Sequence, residues 1–74
     1  MFIRTQDKLT LVNLDQVKEI RIINDNIKCE FADGTGRFVG NYSTGEKALE
    51  VLDLIEMDYM VNCKICNMPQ EADV

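Results

Sequence analysis

Seventy-four residues make a single domain at most, with a core small for its surface, and chains of this size gain their remaining stability from disulfides, metal or self-association. Eight basic against thirteen acidic residues, net −5, argue against nonspecific adhesion to nucleic acid or anionic lipid, and the absence of histidine removes the commonest general acid–base group. No apolar run approaches the about 20 residues of a membrane span; Met1-Phe2-Ile3 leads directly into Arg4, Gln6, Asp7 and Lys8, and three cysteines are an odd number that suits a reducing compartment, so the expected location is the cytoplasm.

Taken in chain order, "FIRT" and "LTLVN" read as two strands separated by Asp7-Lys8. Leu14-Asp15-Gln16 is a polar turn, and "VKEIRIIN" is a third strand with Ile20 and Ile22 on one face and Arg21 and Ile23 on the other. Asn24-Asp25-Asn26 is a second turn, built from residue types that tolerate left-handed backbone. In "IKCEFAD" strict alternation puts Ile27, Cys29 and Phe31 on one face of a fourth strand.

"DGTGRFVG" follows, and its three glycines at G-x-G-x-x-x-G match neither a dinucleotide fingerprint nor a Walker loop. The spacing predicts a β-hairpin, with Gly34 and Gly36 supplying positive φ at the turn and Gly40 marking a bulge or a close backbone approach. "RFVGNY" is then the returning fifth strand.

The period changes after Tyr42. Ser43 and Glu46 stand at capping-box spacing, which predicts a helix over 43–61. Ala48, Val51, Leu52, Ile55 and Tyr59 form its expected buried stripe, and Glu46, Glu50 and Asp53 its solvated side. Leu54, Met57 and Val61 fall among those polar positions and predict a second contact, with the C-terminal segment or with another subunit. In residues 62–74, Cys63 to Met68 is a candidate short final strand, and the last five residues are polar enough to fray. The expected fold is therefore α+β: a small antiparallel meander of about five strands over residues 1–42, packed with one C-terminal helix.

"CKIC" offers two thiols, but zinc wants four ligands and Cys29 is the only other one; a strand would also turn Cys63 and Cys66 to opposite faces. Small buried hydrophobes are the simpler reading, with no metal and no cofactor. No catalytic constellation is visible, so a non-enzyme is expected. The candidate ligand-binding residues are Arg4, Arg21 and Arg37, guanidinium forks suited to phosphate, with Tyr42 as an aromatic that can stack on a base.

"MFIRTQDK", "LVNLDQV", "VGNYSTGEKALEVLDLIE" and "NMPQE" together resemble small proteins encoded by phages and mobile elements of Gram-positive bacteria. Among characterised groups the layout is similar to the Thoeris anti-defence sponge proteins. That resemblance implies an antiparallel sheet with a helix, assembly into homo-oligomers, and sequestration of a nucleotide signal made by the host's immune system; the net charge of −5 and the lack of an apolar span add the expectation of no direct nucleic-acid or membrane partner. The competing expectation is an acidic inhibitor whose Glu46, Glu50 and Asp53 imitate nucleic acid in a basic groove of a host defence enzyme, such as a CRISPR or restriction effector.

Overall fold

The computed structural model describes residues 1–74. Its longest strands are built by two local turns. Asn24 and Asp25 both take left-handed φ, 49° and 68°, the two-residue geometry whose twist matches that of the strands it joins. They connect β3 (Val17–Ile23) to β4 (Asn26–Phe31) in antiparallel register, Ile22 opposite Ile27 and Ile20 opposite Cys29. At the next turn, Asp33 accepts from the Thr35 backbone N–H at 2.9 Å and from its hydroxyl at 2.6 Å, while Gly34 alone takes positive φ, 91°. Gly36 does not share that role. It opens β5 (Gly36–Asn41), which pairs antiparallel with β4, so the glycine cluster is a hairpin.

The strands divide between two sheets. One has the order β3-β4-β5; the other places β1 (Phe2–Arg4) between β2 (Leu11–Asn13) and β6 (Ile65–Asn67). β6, the candidate final strand, pairs parallel to β1, with Ile3 opposite Cys66. The sheets meet where the Gln6 backbone N–H donates to the Val39 carbonyl at 2.9 Å.

Helix α1 (Gly45–Met60) closes the core against β3 and β4. Its cap is Thr44, not Ser43: the Thr44 hydroxyl accepts from the Lys47 N–H at 3.2 Å, and the Ser43 N–H, which a capping box would give to Glu46, goes instead to the Glu71 carboxylate at 2.6 Å. The helix ends in a Schellman arrangement, with Asn62 left-handed at φ 59° and the Cys63 N–H donating to the Asp58 carbonyl at 3.0 Å. Ala48, Val51 and Ile55 are buried as the stripe predicts, and Leu52 is half-buried. Tyr59 is the exception, 62% exposed.

The core joins Ile3, Val12 and Cys66 from the smaller sheet, Ile27, Cys29 and Val39 from the larger, the helix stripe, Tyr42 and Met68. Gly40 sits beside a register shift in the β4–β5 ladder, and a Cβ there would meet Tyr42 Cε2 at 2.9 Å and Met68 Cε at 3.0 Å. Both expected roles, bulge and close approach, fall on this residue.

Candidate functional site

A polar cleft of about 500 Å³ opens between the β1–β2 turn and the C-terminal segment. One wall is Arg4, Thr5 and Lys8; the other is Asn67, Met68, Pro69, Gln70 and Asp73. Alternation along β1 sends Ile3 into the core and leaves Arg4 outside. The turn is held internally: Asp7 accepts from the Thr5 hydroxyl at 2.6 Å and the Leu9 N–H at 2.9 Å. These bonds, the Thr5 hydroxyl first, keep the Asp7 carboxyl below its ordinary range. Lys8 takes φ 67°, and its carbonyl accepts from Arg4 Nε at 3.2 Å and Nη2 at 3.1 Å. One edge of the guanidinium is thus used in fixing the turn, and Arg4 and Lys8 line the same wall of the cleft.

The opposite wall is tied down just as firmly. Gln70 Nε2 donates to the Gln6 carbonyl at 2.7 Å, Tyr42 Oη donates to the Pro69 carbonyl at 2.9 Å, and Glu71 pairs with Lys47 at 2.9 Å. The last five residues are therefore docked rather than frayed, and the polarity that suggested fraying supplies the bonds that dock them. Lys47 and then Ser43 hold the Glu71 carboxyl below its ordinary value.

The four residues selected from sequence do not converge. Arg4 lines the cleft. Arg37 donates to Thr10 Oγ1 at 2.9 Å and lines a separate depression with Leu11, Asn13 and Gln16. Arg21 lies on the outer face of the larger sheet, paired with Glu19 and Glu30, each at 3.3 Å. Tyr42 is 7% exposed; burial first, then the charges of Glu71 and Cys66, push its hydroxyl up to about 12. It supports the cleft from beneath through Pro69. Sequence reasoning does not single out Lys8, Asn67 or Gln70, which lie in a turn, at the end of a three-residue strand and in a polar tail, segments too short or too irregular to carry a periodic signal.

A second concavity, about 570 Å³, runs between α1 and β3. Leu14, Val17, Ile20, Leu52, Ile55 and Tyr59 line it, and Asp15 and Glu56 form an acidic rim. On the far side of the helix, Leu54 lines a shallow depression together with Pro69 and Val74 of the C-terminal segment, and Leu54, Met57 and Val61 all remain exposed.

Cys29 and Cys66 are buried and Cys63 is half-buried, all as free thiols. Burial pushes Cys29 up to about 11 and, with the neighbouring Asp58 carboxylate adding to it, Cys66 up to about 12. No group of three or more cysteine or carboxylate residues is arranged to hold a metal ion. No helix is long and apolar enough to cross a membrane.

Fold and cavities define a small α+β domain of two three-stranded sheets and one helix, with a polar cleft at one end and an apolar groove beside an open strand. Comparison with known proteins finds no matching family model, no matching curated protein and no matching solved structure.

Proposed function

We propose that this chain is a non-enzymatic binding protein that acts as a homo-oligomer and takes a phosphate-bearing, nucleotide-type ligand in the cleft between Arg4 and Gln70. The observation that carries this reading is the pairing of a guanidinium and an ammonium, Arg4 and Lys8, on one wall of a polar cavity of about 500 Å³. That volume lies within the about 300–1,000 Å³ of small-molecule sites. Thr5, Asn67 and Gln70 add neutral hydrogen-bonding groups, while Asp73 opposes a second negative group at its end. With the resemblance to phage-encoded sponges, the reading becomes sequestration of a nucleotide immune signal in the cytoplasm of a bacterial host. Arg4 is retained from the sequence-derived set and joined by Lys8; Arg21, Arg37 and Tyr42 act elsewhere in the fold.

Calorimetric titration with cyclic mono-, di- and trinucleotides and ADP-ribose derivatives tests this. One of them is expected to bind, and Lys8→Gln to weaken it about tenfold through loss of one charge-assisted contact. Absence of binding across the panel overturns the reading.

The acidic-inhibitor reading draws on a different observation: Glu46, Glu50 and Asp53 stand exposed along α1. It requires that neutralising those three residues abolish activity and that added salt weaken it. The cleft reading requires that the same variant keep its activity.

A further inference from the structure

The larger sheet is covered by Gln6 along the second half of one edge strand and open along the whole of the other. Beyond β5, Gln6 covers the edge, donating its N–H to the Val39 carbonyl and accepting the Asn41 N–H at 2.7 Å on its side chain. β3 pairs only with β4, leaving seven residues as an open edge. The smaller sheet's edges, β2 and β6, are three residues each. An uncovered strand of that length is a template for another strand.

The register of such a pairing follows from the turn. The two-residue loop makes Ile23 and Asn26 a mutually hydrogen-bonded pair, and alternation along the ladder then directs the N–H and C=O of Ile22 and Ile20 away from β4. Two copies of β3 meeting antiparallel must pair through these groups. A two-fold axis at Arg21 sets Arg21 against its own copy, and an axis at Glu19 sets carboxylate against carboxylate; like charges directly opposite are unfavourable. An axis at Ile20 does the reverse. It places each Glu19 opposite the second copy's Arg21, on the outer face, in the non-hydrogen-bonded positions where side chains approach most closely, so that the Arg21–Glu19 pair already present at 3.3 Å within each chain extends into a network across the axis.

The same axis has an apolar consequence on the inner face. Val17 and Ile20 are only half-buried and line the groove with Leu14, Leu52, Ile55 and the exposed ring of Tyr59. Bringing two Ile20 side chains together at the axis joins the two grooves into one seam, burying the apolar surface that a single copy leaves open. The β-bulge between Val17 and Glu19 bends the start of β3 and limits the ladder to its central residues.

We infer that a second copy of this chain docks on the open edge of β3, antiparallel about Ile20, with Glu19 of each copy paired to Arg21 of the other. The inference rests on the self-association in the proposed function and not on its ligand.

Light scattering behind a sizing column, over a dilution series of the full chain, reads the association. Wild type is expected to run at twice the monomer mass. Arg21→Glu and Glu19→Arg are each expected to weaken the dimer about tenfold, and the double exchange to restore it to within about threefold. Circular dichroism confirms that each variant is folded. The register is read separately by mixing Glu19→Cys chains with Arg21→Cys chains under oxidation: a disulfide between the two introduced thiols, mapped by mass spectrometry, is the expected product. A monomer at every concentration, an oligomer indifferent to the charge exchanges, or an oligomer lacking that cross-link overturns the interface. A failed nucleotide titration overturns the cleft reading alone.

Discussion

Gln6 is bonded to Asn41 through its side-chain carbonyl at 2.7 Å, two residues from the Val39 carbonyl that takes its backbone N–H at 2.9 Å. One turn residue of the smaller sheet thereby continues the ladder of the larger. Its amide nitrogen reaches the Pro69 carbonyl at 3.3 Å, tying the tail to the same junction. Gln6→Ala removes both side-chain bonds and is expected to cost about 1–2 kcal/mol, read as a lower urea midpoint at unchanged slope.

Gly40 is expected to tolerate no side chain. Gly40→Ala places a methyl within 3.0 Å of the Tyr42 ring and the Met68 terminal methyl, and overpacking of this kind costs about 1–3 kcal/mol. Gly36→Ala crowds only the flexible end of Lys28, the Cys29 carbonyl lying at an ordinary 3.5 Å. It should lower the thermal midpoint less, and equal effects at the two glycines would contradict the packing described at Gly40.

The tail's docking should respond to acid. Glu71 has its carboxyl depressed below the ordinary 4.5, by Lys47 first and Ser43 second. A depressed carboxylate contributes stability that is complete above the ordinary value and is lost as pH falls through the lowered one. Amide exchange of Met68–Val74, corrected for intrinsic rates, is therefore expected to stay flat from neutrality to 4.5 and to quicken below it. Glu71→Gln should exchange quickly at neutral pH and show no such rise; an acid response that survives in this variant assigns the effect elsewhere.

The three thiols are expected to differ in reactivity. Cys29 and Cys66 are buried and their thiols held up to about 11 and about 12, so the thiolate is scarce at neutral pH. A disulfide reagent should label one cysteine per folded chain promptly, Cys63, and all three on addition of denaturant. Prompt labelling of Cys66 would show that β6 opens.

Where a structural decision is made by neighbours in the chain, it is legible in the residues. Asn24-Asp25 and Asp33-Gly34 set their turns by φ preference and short side-chain bonds, and the alternation of Ile27, Cys29 and Phe31 places β4 with one face in the core. The helix is equally local, since Ala48, Val51 and Ile55 fall at its period. Its cap is less so: Ser43 and Thr44 are both adequate by residue type, Thr44 takes the role, and the Ser43 N–H goes to Glu71, 28 positions away.

The same limit governs the cleft. Arg4 was visible as a strand arginine, yet its partner wall comes from residues more than sixty positions distant, joined by the Gln70–Gln6 bond. Tyr42 could be seen as an aromatic but not as a buried one, because its burial depends on Gly40, Met68 and Pro69 closing over it. By itself the sequence determined strands, turns, the helix and its apolar face, all products of backbone preference and periodicity within a few residues. Tertiary structure alone decided the division into two sheets, the parallel pairing of β6 with β1, the Gln6 cover over the end of β5 and the open edge of β3. Those outcomes depend on which distant groups satisfy one another's hydrogen bonds, and no local pattern records that.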